Sequence, residues 1–392
     1  MLPMTYLSVP PVGMACLVVF LHYVGAYMRM PLLPLYAYAG GASTGQVGLL
    51  MGAFTIVAAI SAIPGGLLAD RFGRRRLILV GLAISAATSF ALPVSQAVPV
   101  LAAVLGLAGW AMAALTPAVM VYIGEAGGPA GAGRAYGWYT TALYGGLTLG
   151  PACGGVASDF GGFRFAFLAS GATLLVTWGL ALWGLPEQAR AGGKGTISLA
   201  GLWQVGGNPM VLGCWGAVFC LTFAWGALLS FLPLYAQDLG ISRRAIGGLF
   251  GLQAFANMGM RAPVGYLSDR LGMRAPFITA GMLVFAAAVM VIPASRRLLV
   301  LAAAIAMTGV GQGIGAVATG AALSESAEPS VRGAAMGGYS MALYAGVAGG
   351  SIGVGPVIER AGFHAGFAVA AAVLLVGAAA FHWVARRHLQ LS

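Results

Sequence analysis

Apolar residues run along this chain in blocks of about 20, long enough as helices to cross a hydrocarbon layer of roughly 30 Å. Short polar or Gly/Pro-rich breaks separate the blocks. They predict helices over 12–36, 45–68, 76–94, 98–123, 134–158, 162–184, 209–236, 244–267, 275–294, 297–323, 332–357 and 363–385, here spans 1 to 12. The longest polar break, PEQARAGGKGTISLAGLWQVGGNP, carries Glu187, Arg190 and Lys194 and falls after the sixth block. The pattern predicts an all-α integral membrane protein with an N-terminal six-helix bundle over 1–185, a linker over 186–208 and a C-terminal six-helix bundle over 209–392. Within the linker, ISLAGLW is expected to lie as a short interfacial helix with Trp203 at headgroup level.

Composition removes the soluble alternative. The 392 residues are 60% hydrophobic and 7% charged, where a soluble chain carries about a quarter charged residues. The net charge of +11 would suit a nucleic-acid partner if the basic residues shared a face. They sit instead in short loops between apolar blocks, so no nucleic acid is expected and the bilayer itself is the partner. With the N-terminus in the cytoplasm, Arg71, Arg74, Arg75, Arg76, Arg134, Arg190, Lys194, Arg270, Arg274, Arg332, Arg386 and Arg387 fall inside. Only Arg164, Arg243, Arg244, Arg296, Arg297 and Arg360 fall outside, which places both termini in the cytoplasm. The N-terminal stretch has no basic n-region and no cleavage site, so no removable signal is expected. Cys16, Cys153, Cys214 and Cys220 lie inside apolar blocks without metal-ligand spacing and read as small buried packing residues. No metal or cofactor is expected. His22, His364, His382 and His388 are scattered, and there is no P-loop, so neither an enzyme nor an ATP-driven pump is indicated.

The chain repeats itself. PLYAYAGGASTGQVGLLMG from Pro34 matches PLYAQDLGISRRAIGGLFG from Pro233, and the likeness runs on to Gly73 and Gly272. ALYGG at Ala142 matches ALYAG at Ala342. Two parallel six-helix halves imply a pseudo-two-fold axis along the membrane normal, with a solute site between them near the midplane.

Charge is concentrated in GGLLADRFGRRRLIL, which closes span 2, and again in GYLSDRLGMRAPFI at the end of span 8. Glycines there let helix ends approach closely. An Asp at such a surface suits the N-terminus of a neighbouring helix. In these residues the chain resembles the major facilitator superfamily of transporters. The family's loop signature, Gly-x-Leu-Ala-Asp-Arg-x-Gly-Arg-Arg, is met by Gly66, Leu68, Ala69, Asp70, Arg71, Gly73, Arg74 and Arg75. The second half keeps Gly265, Leu267, Asp269, Arg270 and Gly272, with Met273 in place of an Arg. The resemblance implies a conformational latch: Asp70 against the start of span 11 near Arg332 and Gly333, and Asp269 against the start of span 5 near Arg134. Such a latch forms only when the cytoplasmic side is closed. In span 5, GLTLGPACGG places Gly146, Gly150, Pro151, Gly154 and Gly155 at the spacing of the family's antiporter motif. That resemblance implies the drug:proton antiporter type and points towards efflux.

Polar residues deep in the spans are the candidates for solute contact. Span 1 carries His22, Tyr23, Tyr27 and Arg29; span 8 carries Gln253, Asn257 and Arg261 at four-residue spacing; span 10 adds Thr308 and Gln312. Their counterparts in span 2, Phe54, Ala58 and Ala62, show that the scaffold itself does not demand the span 8 stripe. Trp110, Tyr144, Phe223, Trp225 and Tyr344 are expected to supply apolar walls. The substrate-binding set is thus His22, Tyr23, Tyr27, Arg29, Gln253, Asn257, Arg261, Gln312, Trp225, Tyr144 and Tyr344. Arg29 and Arg261 have no deep carboxylate to face, so a carboxylate or phosphate on the solute is expected to face them. Drug exporters of the family usually carry an Arg in span 4 and often an acid in span 1. This chain has VLGLAGWAMAAL in span 4 and His22 in span 1, which leaves His22, Glu125 and Glu325 as the proton-coupling candidates. The expected activity is secondary active transport by alternating access, as a monomer in the inner (plasma) membrane: efflux of a small amphiphilic or anionic organic solute against proton entry. An organic-anion importer, exchanger or uniporter of the same fold is the alternative.

Overall fold

The computed structural model describes residues 11–187, 207–328 and 331–391, and the regular structure among them is helical. The side chains of residues 62–71, 129, 130, 132, 332 and 388–391 lie outside the description. The expected interfacial helix with Trp203 therefore lies outside the described residues, as do the side chains at Gly66, Asp70, Arg71 and Arg332.

The helices follow the apolar blocks. They are α1 (Pro11–Arg29), α2 (Leu32–Ala39), α3 (Thr44–Phe72), α4 (Arg74–Ala91) and α5 (Val98–Gly184), then α6 (Pro209–Asp238), α7 (Arg243–Leu271), α8 (Ala275–Val291), α9 (Leu298–Ser326) and α10 (Arg332–Leu391). The first apolar block is interrupted between Arg29 and Leu32, where Pro31 stands. Non-helical dihedrals at Gly128, Gly161 and Gly162 divide α5 into α5a (98–127), α5b (129–160) and α5c (163–184). Gly362 at φ 78° divides α10 into α10a (332–361) and α10b (363–391). Only glycine enters that left-handed region at no steric cost, so these breaks are written in the sequence. Nine helical stretches among the described residues are long and apolar enough to cross a membrane. Two of them, at 52 and 55 residues, each contain one of the glycine breaks. α7, which carries Gln253, Asn257 and Arg261, is not among the nine.

The two halves are built alike. Tyr36 packs edge-on against Phe163 and Phe167, at 5.6 and 5.0 Å between ring centroids. Its counterpart Tyr235 packs against Phe363 and Phe367 at 5.5 and 6.0 Å. The halves meet along two equivalent crossings, α3 on α10a and α7 on α5b. Gly48 of α3 faces the Ser351 carbonyl, and Gly247 of α7 faces the Pro151 carbonyl. A Cβ at either glycine would collide with that carbonyl, so the backbones meet only because no side chain intervenes. Of the cysteines, Cys214 is buried as expected, whereas Cys153 is exposed on the surface of the helical bundle.

Candidate functional site

A cavity of about 270 Å³ lies between the halves. Its walls come in equivalent pairs: Met30 with Leu229, Phe54 with Gln253, Thr55 with Ala254, Met112 with Gln312, Tyr144 with Tyr344, and Leu147 with Val347. Tyr27, Pro31, Pro151, Thr222, Trp225, Phe250, Asn257 and Leu343 complete the lining. The pairs are alike in position and unlike in chemistry. Where the N-terminal half offers Phe54 and Met112, the C-terminal half offers Gln253 and Gln312. Both walls are aromatic, with Tyr27, Phe54 and Tyr144 from the N-terminal half and Trp225, Phe250 and Tyr344 from the C-terminal half, and the amides lie on the C-terminal side alone.

The amides are tied into a ladder. Gln253 Nε2 donates to Gln312 Oε1 at 2.7 Å, and Asn257 Nδ2 donates to the same oxygen at 3.0 Å. Arg261 Nε donates to Asn257 Oδ1 at 3.3 Å. Four-residue spacing puts the three α7 residues on one helix face, and α9 supplies the shared acceptor. The Arg261 guanidinium also crosses to the other half, 4.3 Å above the centroid of the Tyr144 ring. Of the expected solute contacts, Tyr27, Tyr144, Trp225, Gln253, Asn257, Gln312 and Tyr344 line the cavity, and Arg261 adjoins it through Asn257 and Tyr144. Thr308 is buried and donates to the Ile305 carbonyl of its own helix.

Arg29, His22 and Tyr23 do not line the cavity. Tyr27 does, and at about 100° per residue Arg29 points roughly 200° away from it. Arg29 turns into the N-terminal half instead. Its Nη1 donates to Ser89 Oγ at 2.7 Å, Thr88 Oγ1 at 3.1 Å and the Ser85 carbonyl at 3.5 Å, all on α4. Ser170 of α5c joins the cluster through Ser89 Oγ at 3.2 Å. The expectation that this guanidinium faces the solute is thus corrected: it braces α1 against α4 and α5c. His22 lies on the same inward face, 1% exposed, with neither ring nitrogen partnered by a described residue. Tyr23 is buried one turn before Tyr27, with ring centroids 5.8 Å apart. Phe54, Thr55 and Met112 were missed as lining residues, although the repeat carries Gln253 onto Phe54 and Gln312 onto Met112.

The two ends of the bundle differ. At the end with the turns at Gly41 and Gly240, hydrogen bonds join the halves. Glu359 Oε2 accepts from Gly45 N–H at 3.2 Å, and Asp159 Oδ2 accepts from Arg244 N–H at 3.3 Å. Arg243 adds a stacking contact, 4.0 Å above the Phe163 ring. At the opposite end, with the turns at Gly73 and Gly272, the described ion pairs stay within a half. Arg74 pairs with Glu125, and Arg274 pairs with Glu325 and with Asp269, both at 2.6 Å. Arg75 donates to the carbonyls of Leu182 and Leu185, capping the end of α5c. Hydrogen bonds donated to Glu325 and then to Asp269 hold the Arg274 guanidinium well above its ordinary value, so it stays charged. The expected partnership of Asp269 with the start of α5b is absent among the described contacts, and Arg270 is exposed. Glu125 and Glu325, two of the proton-coupling candidates, sit in these end pairs and not in the cavity lining. Arg274 takes the role of Arg74, so the missing arginine at Met273 is supplied one residue later.

The sequence profile of the Major Facilitator Superfamily matches residues 15–212 and 214–390. The chain belongs to the Major Facilitator Superfamily. It is 25% identical over 246 residues to the quinolone resistance protein NorA of Staphylococcus aureus, covering 59% of this chain and 62% of that protein's length. It is 27% identical over 158 residues to multidrug resistance protein 2 of Bacillus subtilis, covering 40% of this chain and 39% of that relative. Among solved structures, a bacterial homolog of the human lysosomal transporter Spinster, inward-facing and unoccupied, superposes with a TM-score of 0.82 over 97% of each chain at 16% identity. The nucleoside transporter NupG superposes with a TM-score of 0.81 over 95% of this chain and 99% of that one, at 13% identity. At such identities these two likenesses concern the fold.

This superfamily fold also accounts for the antiporter-motif spacing in physical terms. Gly146, Gly150 and Gly154 on α5b lie against the carbonyls of Phe20, Val24 and Met28 on α1, a four-residue step on both helices. A Cβ would fall 2.7 Å from the Phe20 oxygen and 2.8 Å from the Val24 oxygen, and it would strike that of Met28. Gly155 faces the other way, its Cβ position 2.5 Å from the Arg243 carbonyl on α7. Pro151 presents its carbonyl to Gly247. The motif holds α5b between a neighbour in its own half and one across the interface.

Proposed function

We propose that this chain exports a small amphiphilic or anionic organic solute by alternating access, in exchange for protons. The observation that carries the reading is the cavity between the halves: aromatic on both sides, amide-bearing on the C-terminal side alone, with Arg261 beside it and no carboxylate among its described lining residues. An amphiphile meets both rings and amides. An anionic group on it gains from the guanidinium, whereas a cation finds no carboxylate among the described lining residues.

The twelve expected crossings follow if the two long stretches turn at Gly162 and Gly362 and α7 spans despite its polar stripe. The positive-inside rule then puts the Gly73 and Gly272 turns, and both termini, in the cytoplasm. On that reading the hydrogen-bonded end is outside, the cavity opens inward, and the halves 1–185 and 209–392 rock about it with 186–208 as the tether. A single chain suffices, since both halves of the repeat are present. The relatives are named for resistance to quinolones and to multiple drugs, which supports efflux. For the coupled proton, His22 is the candidate: it is deep, neither ring nitrogen is hydrogen-bonded by a described residue, and it is linked through α1 to Tyr27 in the cavity wall.

The test uses proteoliposomes loaded with a panel of quinolones and other aromatic carboxylates. An imposed pH gradient should accelerate their movement, and solute flux should carry protons the other way. Transport indifferent to the gradient would leave a uniporter, and uptake-only flux would leave an importer. Preference for permanent cations over carboxylates would overturn the assignment of solute class.

A further inference from the structure

A second, larger hollow of about 650 Å³ opens on the outer surface between α6 and α10b. Its floor is made by small residues: Gly213 and Gly216 on α6, Ala372, Gly377 and Ala380 on α10b. The repeat shows why it exists. In the N-terminal half the positions equivalent to Gly213 and Gly216 are Met14 and Leu17. The Met14 side chain packs there against Gly184, within 2.7 Å of where its Cβ would be. In the C-terminal half the pairing is reversed, with Val384 lying 3.3 Å from where a Cβ on Gly213 would be, and a Cβ at Gly216 would meet nothing within 4 Å. The groove runs from Pro209 to Cys220 along α6, about 16 Å at 1.5 Å per residue.

Helical spacing carries the groove face of α10b from Val373 through Gly377, Ala380 and Val384 to Arg387. The Arg387 guanidinium stacks 3.9 Å above the Trp383 ring, and both Arg386 and Arg387 are exposed. A greasy trough thus ends at a Trp and two arginines, the order of chemistry met on passing from acyl chain to interface to phosphate. We infer that this groove binds an anionic phospholipid, with an acyl chain along Gly213 and Gly216 and the phosphate on Arg387. Charge decides against the other occupants. A two-fold pairing of this face would set Arg387 against Arg387, and the linker, with Arg190 and Lys194, repels the same end. The inference rests on the membrane-spanning reading and is independent of which solute is carried.

The full-length protein in detergent is titrated with phosphatidylglycerol or phosphatidylcholine of the same acyl chains, and bound lipid is counted by native mass spectrometry alongside the thermal midpoint. Phosphatidylglycerol should be retained in preference, roughly tenfold, and should raise the midpoint by several degrees. Glycerol 3-phosphate without acyl chains should do neither. The double variant Gly213→Met, Gly216→Leu copies the N-terminal half, and it should lose the retention. Arg387→Gln leaves the groove open and should abolish only the preference for the anionic lipid, so it decides the matter should the double variant fail to fold. Equal retention of both lipids by the wild type, undiminished preference in Arg387→Gln, or a dimer formed through this face would overturn the inference. Lipid binding that fails while solute transport persists would leave the proposed function intact.

Discussion

The Glu359 carboxylate accepts the backbone N–H of Gly45 at 3.2 Å, an acid from one half seated on the first turn of a helix from the other. The repeat makes the same contact in reverse, Asp159 on Arg244 N–H at 3.3 Å. A carboxylate at a helix N-terminus satisfies free N–H groups and meets the positive end of the dipole. These two contacts hold closed the end opposite to the charged loop motif.

Glu359→Gln with Asp159→Asn should therefore shift the protein towards opening at that end. Each contact is worth about 0.3–1 kcal/mol, so the pair should change the population ratio by roughly 3- to 30-fold. Spin-label distances between the starts of α3 and α7 report it. Unchanged distance distributions would show that backbone packing at Gly48 and Gly247 alone sets the state.

Arg261→Gln removes the stacking on Tyr144 and the charge beside the cavity. The KM for an anionic solute should rise about 10- to 150-fold, given roughly 1.5–3 kcal/mol for a hydrogen bond to a charged group. Tyr144→Phe keeps the ring and should stay within about twofold. Equal losses in the two variants would place the effect in the hydroxyl.

Gln312→Leu takes away the oxygen shared by Gln253 and Asn257, both of which are buried. Two orphaned amide donors cost about 1–3 kcal/mol each. The thermal midpoint should fall by several degrees and solute affinity with it, whereas Gln312→Glu restores the acceptor and should recover much of the stability.

Arg29→Met is expected to leave the solute KM within about twofold. The hydroxyls of Thr88 and Ser89 already donate to the Ser85 carbonyl, so they do not lose their only partners. Removing a buried charge that has no carboxylate partner among the described residues should be neutral or stabilising in the thermal midpoint. A tenfold KM rise would return Arg29 to the solute site.

Gly154→Ala drives a methyl into the Met28 carbonyl, and Gly179→Ala meets nothing within 4 Å. The first should cost about 1–3 kcal/mol and most of the transport, by prising α5b from α1. The second should be tolerated. Thermal unfolding and flux on the two variants separate packing from composition.

Much of this protein is legible in its sequence. Apolar blocks of membrane length fix the helices, because a backbone in hydrocarbon must satisfy its hydrogen bonds internally. Glycines at 128, 162 and 362 mark the breaks in α5 and α10, because only they take positive φ at no cost. The repeat pairs Tyr36 with Tyr235, and the polar stripe Gln253, Asn257 and Arg261 reads correctly as one helix face. What tertiary packing alone decided was direction. His22 and Arg29 share a face of α1, as their seven-residue spacing requires, yet nothing in that spacing says which neighbour the face meets. The packing of α1 on α4, α5b and α5c turned it into the half and left Tyr27 for the cavity. It likewise put Asp159 and Glu359 on helix ends of the opposite half, a contact that no local pattern encodes, because the residues it joins lie more than eighty positions apart.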